Sequence, residues 1–100
     1  MAEPAPPFLT LTITKRFEKT TAKLQKAQIE QLARRSRLLF ENPAHPGLEA
    51  HAIKPDKHYW EAYLNDSDRI IYIPRGSQLI LVDVVPHDHI GRYGKRPRRK

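Results

Sequence analysis

A short apolar run, Leu79-Ile80-Leu81-Val82-Asp83-Val84-Val85, leads into Pro86-His87-Asp88-His89-Ile90-Gly91-Arg92-Tyr93. A buried strand ends there and releases two histidines, an aspartate, an arginine and a tyrosine in quick succession. Imidazole titrates near neutral pH, so it can take a proton in one state and give it back in the other. A guanidinium fork matches the oxygens of a phosphate. These residue types together predict a nucleic-acid site at the C-terminal end of a small sheet.

Cleavage of RNA by its own 2′-hydroxyl needs a base at that hydroxyl, an acid at the leaving 5′-oxygen and a cation for the charged phosphorane. His87, a second donor and Arg69 meet that need. If residues 87–89 stay extended, His87 and His89 point the same way, and Asp88 and His89 become supporting groups that set the tautomer of His87. The opposite reading makes them exposed loop residues. Arg69 opens an apolar strand, where an arginine is costly unless its head reaches water or an anion. Its alternative is an ion pair with Asp66 or Asp68. Tyr93 can stack on a base or donate to phosphate, or merely cover the sheet edge. A His-x-His metal site lacks cysteines and a third ligand at fixed spacing, so no metal and no cofactor is expected. His51 and His58 read as packed or solvated side chains, and Trp60 as core. Glu61 is one possible general base, or the partner of a nearby lysine. Lys54, Lys57, Arg75 and Arg92 are candidates for contacts to a nucleic-acid backbone.

The elements that must position these groups follow from pattern. Phe8-Leu9-Thr10-Leu11-Thr12-Ile13-Thr14 alternates apolar residues with threonine, as a half-buried strand does. Residues 15–41 contain no proline or glycine, and Phe17, Thr21, Leu24, Ile29, Leu32, Ser36 and Leu39 recur at helical spacing. That predicts one long helix, or a helical hairpin broken within 20–26, with Arg34, Arg35 and Arg37 on its outer face. Asn42-Pro43-Ala44-His45-Pro46-Gly47 is a loop. Four strands follow, at 48–54, 59–65, 69–73 and 78–85. In the second, Trp60, Ala62 and Leu64 share one face, and Tyr59, Glu61 and Tyr63 the other. Asn65-Asp66-Ser67-Asp68 and Arg75-Gly76-Ser77 are turns. The last two strands are apolar on both faces and belong in the middle. Short connections put the start of the third beside the end of the fourth, with Arg69 and His87 at one edge. The fold class is α+β, a small twisted and mainly antiparallel sheet with the helical segment on one face.

One hundred residues make one domain with a modest core. The division expected is a disordered leader at 1–7, a domain at 8–94 and a basic tail at 95–100. No apolar run reaches membrane-spanning length, and the start lacks the basic and apolar regions of a signal peptide, so the expected compartment is cytoplasmic. There is no cysteine, which excludes disulfides and thiolate zinc sites. The net charge is +7, five of it in the tail, which leaves +2 for the rest. Such a tail contacts nucleic acid or an acidic partner, or only aids solubility.

In this order the features resemble the RelE/ParE toxin superfamily of bacterial type II toxin–antitoxin systems. They are the early strand, Phe17 and the helical segment, Asn42-Pro43 and Pro46-Gly47-Leu48, Tyr59-Trp60-Glu61-Ala62-Tyr63-Leu64, Asp68-Arg69-Ile70-Ile71-Tyr72, and Val84-Val85-Pro86-His87-Asp88. The resemblance covers about 85 residues. It implies the RelE/ParE-like fold and metal-independent, ribosome-dependent cleavage of mRNA. It implies a cognate antitoxin in a toxin–antitoxin hetero-oligomer, the ribosome and mRNA as partners, and no membrane. Arg69 falls on the family's phosphate-contacting arginine, His87 on the catalytic histidine of YafQ-like members, and Tyr93 near the aromatic that orients RNA. Lysines that the archetypal RelE carries on the strand reading Trp60-Glu61-Ala62 are missing, so the chain is nearest to the histidine-based members. Two alternatives share the fold: a ParE-like inhibitor of DNA gyrase, which is not an enzyme, and a catalytically inactive RNA-binding relative.

Overall fold

A computed structural model describes residues 7–53 and 58–89. Five strands form one sheet in the order β1-β5-β4-β3-β2. They are β1 (Thr10–Ile13), β2 (His51–Ala52), β3 (Trp60–Tyr63), β4 (Asp68–Arg75) and β5 (Gln78–Pro86). Two helices, α1 (Lys15–Thr21) and α2 (Lys26–Glu41), lie between β1 and β2 in sequence. The α+β class and the central place of the last two strands are as the sequence indicates. The sheet is mixed, because β1 runs parallel to β5 while the other three pairings are antiparallel.

Both helices bury apolar side chains against one face of the sheet. Phe17, Leu32 and Leu39 join Ala62, Leu64, Ile70, Tyr72, Leu79, Leu81 and Val84 in the main core. The opposite face carries a smaller cluster of Ile53, Ile71, Val82 and Val85. The helical stretch breaks at residues 22–25. Thr14 starts α1 by accepting from the Phe17 N–H at 3.1 Å and donating to the Val82 carbonyl at 2.9 Å, a cap whose loss typically costs about 1 kcal/mol. Gln25 and Gln28 form a reciprocal capping box at the start of α2.

Several boundaries move. The strand expected at 48–54 shrinks to two residues. Pro46 opens a 3₁₀ turn over Pro46–Leu48, the His45 ring accepts from the Gly47 N–H at 2.9 Å, and Glu49 adopts φ 49° before β2 can begin. β4 instead extends through Pro74, which is tolerated because β3 pairs no further along it than Tyr72. Gly76 takes φ 59° in the two-residue turn to β5, a conformation open to glycine without steric cost.

One irregularity sets the geometry of the far end. Ile71 pairs with Asp83 and Tyr72 with Leu81, so Val82 has no partner on β4 and forms a β-bulge. Leu79 and Leu81 face the helices, and so does Val84, while Ile80, Val82 and Val85 face away. The bulge therefore puts Val85 on the open face beside Arg69, its partner on β4.

Candidate active site

Glu61 is the centre of the open face. Trp60 and Ala62 take the helix side of β3, so alternation sends the carboxylate the other way. Only 9% of the residue is exposed. Its Oε2 lies 3.0 Å from Nε2 of His51, the residue directly opposite on β2. Its Oε1 lies 3.8 Å from Nε of Arg69. Three strands thus contribute a histidine, a glutamate and an arginine in a row.

The other nitrogen of His51, Nδ1, lies 2.8 Å from the Glu49 carbonyl. A carbonyl can only accept, so Nδ1 carries a hydrogen. Nε2 also faces an acceptor if Glu61 is ionised. The two contacts together are satisfied by an imidazolium facing a carboxylate, or by a proton on Glu61 shared with a neutral ring. Either arrangement is a proton store at the base of the open face.

Arg69 is mostly buried. Its Nη1 donates to the carbonyls of Asn65 at 2.8 Å and Asp68 at 3.0 Å, and its guanidinium carbon sits 5.1 Å from the centre of the Tyr63 ring. The ion pair considered with the Asp66 or Asp68 side chain is replaced by these carbonyls and by Glu61. Part of the fork therefore braces the β3–β4 turn, and the Nε edge faces the site. Tyr63 donates to Asp66 at 2.5 Å, and that bond is the first cause of a hydroxyl pKa above the ordinary value. Arg35, expected among outward-facing arginines, bends inward. It donates to the carbonyls of Tyr63 and Gly47 and lies 5.5 Å from the centre of the same ring.

Pro86 pairs with Asp68, and the His87 N–H donates to the Ser67 carbonyl at 2.7 Å. Arg69 and His87 thus share one end of the sheet on adjacent strands, as the short hairpin requires. Residues His87–His89 curl into a 3₁₀ turn instead of continuing the strand. The strand-like alternation that would aim His87 and His89 alike is therefore lost. All of His87, Asp88 and His89 are exposed. Among the described residues neither ring nitrogen of His87 has a hydrogen-bond partner, Asp88 included. Arg75 lies at the opposite end of β4, paired with Gln78, and is not brought to this site. Lys54, Lys57, Arg92 and Tyr93 lie outside the described residues. Among the described residues no three histidine or carboxylate side chains cluster as a metal site.

Sequence reasoning undervalued His51 and gave Glu61 a lysine as its more ordinary partner. The available signal was the single acid among apolar residues of β3. Its pairing with His51 depends on a register between strands that no local pattern reveals. Trp60 is on the helix side as expected, partly buried and packed against the main core, with its ring centre 6.2 Å from that of Tyr72.

No family model matches the chain, and no curated protein does. Solved structures do. A YafQ structure from E. coli superposes with TM-score 0.68 at 19% identity, over 84% of this chain and 97% of that one. YafQ in the E. coli DinJ–YafQ toxin–antitoxin complex gives 0.66 at 18%, over 78% and 91%. A chain of the archaeal RelE–RelB complex from Pyrococcus horikoshii gives 0.63 at 18%, over 80% and 96%. The likeness to the RelE/ParE superfamily seen in the sequence is thus matched in three dimensions, and what this chain shares with the YafQ and RelE structures is their fold.

Proposed function

We propose that this chain is the toxin of a type II toxin–antitoxin pair and acts as a metal-independent endoribonuclease on ribosome-engaged mRNA. The observation that carries the reading is the row of His51, Glu61 and Arg69 on the open face, which runs from the middle of the sheet to Arg69, beside the strand end from which His87 emerges. In the reaction the Glu61 carboxylate, in the arrangement that leaves the shared proton on the His51 ring, takes the proton of the ribose 2′-hydroxyl. The 2′-oxygen attacks the adjacent phosphorus and the bond to the 5′-oxygen breaks. Arg69 faces the phosphorane charge with its Nε edge, and protonated His87 gives its proton to the leaving oxygen. The products are a 2′,3′-cyclic phosphate and a 5′-hydroxyl. Asp88, His89 and Tyr93 are supporting groups, and Lys54, Lys57 and Arg92 are backbone contacts in this reading, whereas Arg75, at the far end of β4, is left out of it.

A protein partner is supported by an uncovered apolar surface. Leu9 is 72% exposed, Leu11 47%, Ile13 40% and Ile29 45%. Leu11 and Ile13 pair with Leu79 and Leu81, so they extend the helix-side face to the free edge of β1. A groove of about 270 Å³ lined by Phe17, Ile29, Leu32 and Leu81 continues it. An edge strand of this kind invites a covering chain. An antitoxin is the occupant proposed, since DinJ–YafQ and RelE–RelB are complexes of that type.

The test is primer extension on a reporter mRNA translated in vitro with wild-type protein, Glu61→Gln and His87→Ala. Discrete cuts that end in cyclic phosphate and fade in both variants support the reading. Intact mRNA with folded wild-type protein overturns it. Gyrase-dependent DNA damage alongside intact mRNA would instead favour the ParE-like alternative, for which a YoeB/ParE structure from Agrobacterium tumefaciens with the same fold is the precedent.

A further inference from the structure

We propose that the cleft between α1 and the end of β5 is a subsite for the sugar–phosphate backbone of a single RNA strand on its way to His87; this deepens the ribonuclease reading and rests on it. The cleft holds about 590 Å³ and runs from α1 to Pro86, the residue before His87. Three cations border it: Arg16 and Lys19 from α1, and Lys23 from the turn that follows. Their spacing places them along one side of the helical path.

The acid within the cleft is already neutralised. Asp83 is 1% exposed. Its carboxylate accepts from Thr20 at 2.7 Å, from Arg16 Nε at 3.2 Å and from the Val84 N–H at 2.8 Å. Arg16 offsets its charge. Lys19 and Lys23 have no ion-pair partner among the described residues, so the cleft carries a net positive charge from them. That favours a polyanion.

The backbone argues against a protein strand as the occupant. β1 pairs with β5 only as far as Leu81, which leaves the later residues of that edge facing α1. There the Val84 N–H is taken by Asp83, and Pro86 has no N–H at all. An added strand would find no donor at either position. A sugar–phosphate chain needs only cations and a trough, and both are present.

The probe is a fluorescent single-stranded RNA of about twelve nucleotides, 2′-O-methylated so that it cannot be cut, titrated by anisotropy with the full chain over a range of salt. The variants are Lys19→Ala/Lys23→Ala and a charge-matched control, Lys26→Ala/Arg34→Ala, on exposed positions of α2. The lysine pair is expected to weaken binding about tenfold at 0.1 M salt and to flatten the salt slope by about 1.4. The control is expected to change affinity less than about twofold. Equal losses in both variants, or none in the lysine pair, overturn the subsite. So does loss of poly-L-glutamate binding with RNA binding intact, which would mark an acidic protein as the ligand. Unchanged cleavage and unchanged RNA affinity in the lysine pair remove the subsite but leave the ribonuclease reading. Absent wild-type cleavage, with RNA binding lost only in the lysine pair, removes the ribonuclease reading and keeps the subsite.

Discussion

His51 and Glu61 face each other across β2 and β3, with Nε2 and Oε2 3.0 Å apart, and the far side of the ring is held by the Glu49 carbonyl at 2.8 Å. The imidazole is thus fixed at both nitrogens, and its proton inventory is tied to that of the glutamate. Glu61→Gln keeps the shape and one acceptor oxygen but cannot take a proton. We expect cleavage to fall by about 10²–10⁴-fold, the usual worth of a positioned acid or base. Single-turnover cleavage beside circular dichroism checks this. A variant that cuts as fast as wild type would remove Glu61 from the chemistry.

Asp83 joins α1 to β5 through Thr20 and Arg16. Asp83→Ala should destabilise the chain by about 1–3 kcal/mol, the cost of unmaking bonds to a buried charged group. Most of that comes from Thr20 and the Val84 N–H, because Arg16 is 55% exposed and can turn to water. Urea unfolding of Asp83→Ala and Arg16→Ala separates the two, with the larger midpoint shift in Asp83→Ala.

Burial raises the pKa of the Tyr72 hydroxyl, and the bond to Asp66 raises that of Tyr63. A raised folded-state pKa stabilises the protonated form. The contribution is complete below the unfolded value of about 10 and is lost as pH climbs through the folded value. Stability should therefore decline on the alkaline side, above about pH 10. Tyr72→Phe should flatten that decline, as read from urea midpoints across the alkaline range. An unchanged slope in Tyr72→Phe would show that the ring does not carry it.

Ile29 lines the apolar groove, and Leu11 is exposed on β1, the strand that pairs with β5, which supplies Leu81 to that groove. Leu11→Asp should leave the fold intact, since the side chain is half in water already. It should weaken binding of the cognate antitoxin by about tenfold or more, as loss of a buried apolar anchor does. Calorimetric titration of purified antitoxin into the variant measures it, and wild-type affinity would place the partner elsewhere.

Local rules carried part of this architecture. Alternation along Trp60-Glu61-Ala62 put the acid on the open face, and the short Gly76–Ser77 connection put Arg69 and His87 at one end. What escaped them is non-local. The parallel pairing of β1 with β5 crosses 68 positions of sequence, and no short pattern announces it. The register that sets His51 opposite Glu61 depends on a two-residue strand begun by a left-handed Glu49. Arg35 and Arg69 were read by charge, whereas carbonyls at the strand ends decide where they point.

A strand has a reading frame of two, and Val82 shifts it by one. Were the ladder to close regularly with Val82 kept in line, every side chain after it would change sides: Val84 would leave the helices, and Val85 would be driven under them. Deleting Val82 would do the reverse, since Asp83 would follow Leu81 directly and Val84 and Val85 would keep their sides. The phase of the strand end that carries His87 is therefore set by one surplus residue being held out of the count, and a single insertion or deletion near residue 82 acts on the site only through that bulge.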